Sequence, residues 1–125
     1  MSTPETISEA ESAVLAVLWE KGTATAEDVM AVLAKPRDWQ ESTVKTLLGR
    51  LLRKGAVRAE KDGRRFIYSP ALAREEWLSR ESESLLNRLY GGRVAPLVAH
   101  FSRHRKLSRR DIRELKRLIE ELEDE

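Results

Sequence analysis

The chain has 125 residues, no cysteine and a net charge of +2. That length allows one or two small domains, and the lack of thiols excludes disulfides, thiolate metal sites and thiol redox sensing, which fits a cytoplasmic location. No apolar run approaches the roughly 20 residues that span a bilayer, so no membrane insertion is expected, and Met1 to Ile7 has neither the basic nor the apolar region of a secretory signal.

Ser8 opens the first predicted helix. Its hydroxyl can cap the start while Glu11 reaches back, the reciprocal arrangement of a capping box. Val14, Val17 and Leu18 form the apolar stripe, Leu15 and Trp19 flank it, and Gly22 ends the helix. Thr25 with Asp28 repeats the cap for a second helix carrying Val29, Met30, Val32 and Leu33, which Pro36 is expected to stop. Lys35 to Glu41 then forms the turn, with Trp39 beneath it.

The third helix is the most informative. At about 100° per residue, Val44, Leu47, Leu48, Leu51 and Leu52 share one side. Ser42, Thr46, Gly49, Arg50 and Arg53 lie opposite, with Thr43 at the edge. An oily face anchors the helix, and the opposite face offers hydroxyls and guanidinium groups suited to phosphates and base edges. Gly55 suits the left-handed cap that ends it. Val57 to Lys61 and Arg64 to Ser69 read as strands around an Asp62-Gly63 turn, closed by Pro70. In that register Val57 faces Tyr68, Ala59 faces Phe66 and Glu60 opposes Arg65.

Charge supports a nucleic-acid role for this stretch. Met1 to Glu41 has three bases against eight acids, net −5, whereas Ser42 to Pro70 has eight bases against two acids, net +6. A cationic patch confined to a helix and the hairpin after it is the footprint of a DNA reader, although an ordinary solvated charged face remains the alternative. Arg50 is the candidate for base readout, since bidentate contact with guanine is the commonest specific pairing; its other reading is a phosphate clamp. Thr43 and Thr46 suit a thymine methyl or a phosphate, unless Thr43 serves only the first helical turn. Lys45, Arg53, Lys54, Arg64 and Arg65 read as phosphate contacts, which place a protein without specifying sequence. Gly49 costs a helix about 1 kcal/mol relative to Ala; it either lets the backbone approach the groove wall or is simply tolerated. Trp19, Trp39, Phe66 and Tyr68 read as core, and Glu41 is expected to point away from the duplex.

The remainder is helical. A helix from Leu72 to Tyr90 carries Trp77, Leu78, Leu85, Leu86 and Leu89 before Gly91-Gly92 breaks it. An apolar segment with Val94, Pro96, Leu97, Val98 and Phe101 follows. Ser108 with Asp111 caps a last helix bearing Ile112, Leu115, Ile119 and Leu122. So small an arm cannot bury such stripes within itself. A second subunit is the economical cover, which makes this a dimerisation module; packing back onto the first seventy residues is the alternative. The expected fold is therefore mainly α (α+β). A winged helix-turn-helix with a two- or three-stranded wing occupies residues 1–70, and a three-helix dimerisation domain occupies residues 71–125.

Other chemistry finds little support. His100 and His104 stand i, i+4 with bases around them and no third ligand, so no metal or other cofactor is expected. No carboxylate pair, nucleophile motif or phosphate loop can be placed in one cleft, so the chain is not read as an enzyme. The basic run Arg103 to Arg110 and the acidic tail Glu120 to Glu125 read as solvated surface or a charge-matched dimer contact. The competing function is a winged-helix module that docks protein or structured RNA through the same basic face, without preference for a DNA sequence.

Several motifs resemble the penicillinase-repressor family, which also contains methicillin-resistance and copper-responsive repressors. They are Ile7-Ser8-Glu9-Ala10-Glu11, Leu18-Trp19, Thr25-Ala26, the block Trp39 to Leu51, Lys54-Gly55 and the wing Gly63 to Tyr68. The resemblance is motif-specific over the first seventy residues and architectural beyond them. It implies a homodimeric transcriptional repressor that occupies operator dyads, with the third helix in the major groove through Ser42, Thr43, Thr46 and Arg50, and Arg64 of the wing near the backbone. Copper-responsive members hold the metal with a C-terminal cysteine cluster that this chain lacks. Penicillinase-type members are inactivated by a cut at an Asn-Phe bond in the dimerisation domain, the work of a membrane-bound sensor protease. The corresponding pair here is His100-Phe101, with His in place of Asn.

Overall fold

The computed structural model describes residues 6–124. Most of the stretch Met1 to Ile7, read above for a secretory signal, and Glu125 of the acidic tail lie outside those residues. The element order is α1 (Glu9–Lys21), α2 (Ala26–Arg37), α3 (Glu41–Arg53), β1 (Val57–Asp62), β2 (Arg65–Pro70), α4 (Arg74–Leu89), α5 (Val94–Arg103) and α6 (Arg109–Glu123). Two compact units divide within α4, one ending at Trp77 and the other starting at Leu78. Among the described residues, no helix is long and apolar enough to cross a membrane.

Local chemistry sets the helix starts. Ser8 Oγ accepts the Glu11 N–H at 3.1 Å while Glu11 Oε1 accepts the Ser8 N–H at 2.8 Å, so two otherwise orphaned donors are satisfied at once. Thr25 and Asp28 repeat the exchange at 3.1 and 3.0 Å at the start of α2. Bonds from Thr25 hold the Asp28 carboxyl below its usual range. Ser108 and Asp111 form the same box on α6.

Pro36 does not stop α2, which runs to Arg37 and ends at Asp38 in the left-handed region, φ 55°. The proline removes only the hydrogen bond to the Val32 carbonyl, and Val32 is exposed, so solvent can serve that oxygen. The turn into α3 is accordingly Asp38 to Gln40 rather than Lys35 to Glu41. Beside it Arg37 forks onto Glu9, with nitrogen–oxygen distances of 2.9 and 2.7 Å, and lies 5.1 Å above the half-buried Trp39 ring.

The core of the first unit lies between α1, α2 and α3. Val14, Leu15, Leu18, Val29, Val44, Leu48 and Leu51 are its most enclosed apolar side chains. Leu52, assigned above to the same side of α3, is exposed instead. At the end of α3 the Ala56 N–H reaches the Leu51 carbonyl (2.9 Å) and the Gly55 N–H reaches Leu52 (3.1 Å). These are the paired bonds of a Schellman cap, and they use the positive φ of Gly55, 74°.

The wing is a two-stranded antiparallel sheet, extended by a single bridge from Ala24 to Tyr68. Its turn is Gly63-Arg64, with Asp62 paired to Arg65, so the predicted Asp62-Gly63 turn is displaced by one residue. Val57 pairs with Pro70, Ala59 with Tyr68, Glu60 with Ile67 and Lys61 with Phe66. The faces expected from alternation survive, because the partners move by an even number of positions. Gly63, at φ 65°, holds the first turn position, where a II′ hairpin requires glycine.

The start of α4 belongs with the first unit. Trp19 Nε1 donates to the Leu72 carbonyl at 2.8 Å, and the Trp19 and Trp77 rings lie 5.5 Å apart. Trp77, which the sequence reading placed among the dimerisation residues, thus packs against Trp19 within the first unit. The second unit is different in kind, since none of the residues of α4, α5 or α6 is buried. The apolar segment after Gly91-Gly92 forms α5, with Pro96 in its first turn, where a missing N–H is harmless.

Candidate nucleic-acid interface

With its apolar face sealed against α1 and α2, α3 turns Ser42, Lys45, Thr46, Arg50 and Arg53 to the exterior, with Thr43 half-buried at the edge. Ser42, Thr43, Thr46 and Arg50 line one shallow recess together with the edge of Leu47. That grouping brings a guanidinium beside three hydroxyls, a set that can contact a guanine edge, a thymine methyl and neighbouring phosphates. Arg53 continues the same exposed face toward the end of the helix.

A second recess, with a volume of about 200 Å³, opens between α3 and the wing. Lys45, Arg64 and Arg65 line it with Thr25, Glu41 and Phe66 among others. Glu41 bonds Lys45 at 2.8 Å across one helical turn. The pair holds the Glu41 carboxyl below and the Lys45 ammonium above their ordinary values. Lys45 therefore stays charged, and a phosphate must compete with Glu41 for it. Arg65 lies 3.9 Å from Asp62, a loose pairing that leaves its guanidinium open to other partners.

Two residues depart from the sequence reading. Phe66, expected in the core, is 49% exposed. Its strand partner is Lys61 beside the turn of the wing rather than Ala59 over the core. Correct placement of the turn would have revealed this. Lys54, read as a phosphate contact, is turned inward: Nζ lies 2.6 Å from Glu11 Oε1 and 2.8 Å from the Thr6 carbonyl oxygen. Its side chain is 19% exposed and that of Glu11 is 1% exposed. Burial pushes the Glu11 carboxyl up, but the Lys54 ammonium and the Ser8 donors outweigh it and hold the group below its ordinary value. A charge engaged in this way is not offered to a duplex.

In the second unit His100 and Phe101 sit inside α5, both exposed, so the bond between them lies in helical backbone. The His100 and His104 rings approach to 4.5 Å, and no group of three metal-binding side chains occurs among the described residues. Leu78, Leu85, Leu97 and Leu115 are half-buried. Leu89, Phe101, Ile112, Ile119 and Leu122 are exposed, the last at 68%.

Three helices around one core, a cationic outer face on the third and a two-stranded wing beside it define a winged helix-turn-helix protein of the DNA-binding class. The chain belongs to the penicillinase repressor family, whose sequence profile matches residues 7–121. It is 36% identical over 115 residues to the penicillinase repressor of Bacillus licheniformis, covering 92% of this chain and 90% of that one. The methicillin resistance regulatory protein MecI of Mammaliicoccus sciuri is 31% identical over 113 residues, covering 90% of this chain and 92% of its own. Among solved structures, the monomeric form of Bacillus licheniformis BlaI in complex with the blaP half-operator superposes with a TM-score of 0.52 at 34% identity. That match covers 61% of this chain and 93% of the BlaI chain. The family is one of DNA-binding repressors, not enzymes.

Proposed function

We propose that the protein is a homodimeric transcriptional repressor that holds palindromic operator DNA with α3 and the wing. The grouping of Ser42, Thr43, Thr46 and Arg50 in one recess of the exposed α3 face carries this reading. In it Arg50 reads a base pair, Thr43 and Thr46 lie against the groove wall, and Lys45, Arg53, Arg64 and Arg65 hold phosphates on either side. The solved complex of BlaI with a half-operator supports this use of the unit.

The dimer rests on the second unit. Its apolar side chains, Leu89, Phe101, Ile112, Ile119 and Leu122 among them, stand open to solvent on helices with no buried residue. A second copy covers them and duplicates the reading head, as a two-fold operator requires. Loss of the dimer, through a cut at His100–Phe101 by a membrane sensor protease or through another signal, removes one half-site and lowers operator occupancy. A cut at that bond needs α5 to open first, because the bond lies within the helix.

Selection from a random duplex pool tests the reading. The wild-type chain should enrich an inverted repeat, with half-site centres one or two helical turns apart. Arg50→Ala should relax the enriched motif at one position in each half, a loss of about 1–3 kcal/mol in discrimination. Enrichment without any motif would favour the competing module that binds protein or structured RNA.

A further inference from the structure

We infer that Glu11 and Lys54 are positioning residues for DNA reading, a clamp that fixes the end of α3 against the start of α1 and so sets how Arg50 and Thr46 meet the groove. The inference rests on the operator-binding reading above and goes beyond it. Lys54 follows the last turn of α3, and its backbone N–H donates to the carbonyl of Arg50 at 3.0 Å. Its ammonium is held by Glu11 Oε1 (2.6 Å) and the Thr6 carbonyl (2.8 Å). The same Oε1 accepts the Ser8 N–H at 2.8 Å, while the buried Oε2 has no protein partner. One oxygen thus ties together the residues before α1, the first turn of α1 and the cap of α3.

An ion pair is a poor device for stability alone, because desolvation offsets much of its attraction. What the pair fixes is position: Glu11 is 1% exposed and Lys54 Nζ meets both its Oε1 and the Thr6 carbonyl. A shift of the α3 end would leave an enclosed charge without its partner, where an apolar contact loses little on a small slide. Lys54 also lies at the Schellman cap that launches β1, so the clamp sits at the junction between the reading helix and the wing.

A phosphate contact and a positioning role give different salt dependence. Each phosphate neutralised adds about 0.9 to the slope of log affinity against log salt. The measurement is fluorescence anisotropy at several salt concentrations. The probes are a duplex enriched by the wild-type chain from a random pool and an unrelated duplex of equal length. Lys54→Arg keeps the charge but brings a larger, planar head to a site enclosing an ammonium. Lys54→Met removes the charge, and Glu11→Gln alters the far side of the clamp. The expected result for all three is a loss of about tenfold or more in preference for the enriched duplex, the scale of one displaced base contact, with the wild-type salt slope retained. Arg53→Ala, by contrast, should lower the slope by about 0.9.

Circular dichroism identifies the folded variants. Lys54→Arg with wild-type preference and slope would overturn the inference, as would Lys54→Met with a slope lowered by about 0.9. Should none of the three fold, the clamp is structural and the inference fails. If the wild-type chain enriches no sequence, the operator reading falls and takes this inference with it. An enriched motif that the variants read like the wild type overturns this inference alone.

Discussion

Gly49 lies on the outer face of α3, next in the chain to Arg50, and nothing inside the protein requires it. A Cβ built there meets no atom within 4 Å, and its φ is not positive. Glycine in a helix interior is nevertheless unfavourable by about 1 kcal/mol relative to alanine. An unforced cost on the face assigned to DNA points to a requirement supplied by the bound duplex. Gly49→Ala is therefore expected to raise the melting temperature by about 4–8 °C. The same change should weaken binding to the enriched duplex by about tenfold, as the new methyl holds the backbone away from the groove wall. Thermal denaturation and anisotropy on the same sample check both halves. A stabilised variant with undiminished affinity would show that Gly49 is merely tolerated. Lys54, close by on the chain, carries the opposite lesson: a base at the end of a reading helix is committed to the interior by a partner 43 positions away.

The joint between α1 and α3 gives the prediction in pH. The folded Glu11 carboxyl lies below its ordinary value of 4.5, so the stability it contributes is complete above pH 4.5 and is lost as pH falls through the lower folded value. At pH 7 Glu11→Gln leaves the Lys54 ammonium enclosed beside a neutral amide, a loss of about 3 kcal/mol. As the solution is acidified below pH 4.5, the wild-type carboxyl protonates once pH passes its lowered folded value, and the two proteins should draw together in melting temperature. Glu9, Asp28 and Glu41 are also held low by their partners, but they are common to both proteins, so the difference isolates Glu11. A gap that does not narrow at any pH below 4.5 at which both proteins are still folded would remove the ion pair as its source. Interactions within one turn of chain were legible from the sequence: the three capping boxes and the Gly55 cap need only residues three to five apart. The wing turn was ambiguous because Gly63 can serve as either central residue of a hairpin, and only the cross-strand ladder decides. The Lys54–Glu11 clamp and the docking of Trp77 on Trp19 were not legible, since each depends on two segments meeting in space. On the reading face, periodicity alone placed Ser42, Thr46 and Arg50 together, because one amphipathic helix determines its own outside once its inside is known.

In the molecule as a whole, α6 carries a net charge distribution that runs against its own dipole. Arg109, Arg110, Arg113, Lys116 and Arg117 outnumber Asp111 and Glu114 in the first nine positions, and Glu120, Glu121, Glu123 and Asp124 follow, with no base in the last turn. The helix dipole favours acids at the start and bases at the end, so this polarity is unfavourable in isolation. Arg110–Glu114 and Arg117–Glu121 pairs relieve only part of it. In the proposed dimer an antiparallel neighbour of identical sequence would relieve the rest, setting the acidic end of each helix beside the basic end of the other. The stripe Ile112, Leu115, Ile119 and Leu122 would then be the seam, spaced as in a coiled coil. Antiparallel alignment about the middle of that stripe brings Ile112 of one copy opposite Leu122 of the other. The chain has no cysteine, so Ile112→Cys and Leu122→Cys proteins can be made separately and mixed under mild oxidation. The mixture should yield a cross-linked heterodimer, while each variant alone cross-links little, because disulfide geometry requires Cα atoms within about 7 Å. A parallel pairing would reverse the pattern, with each variant coupling to itself. Raising the salt concentration should weaken the antiparallel pair as its end-to-end charge matching is screened, and sedimentation at several protein concentrations would measure the shift.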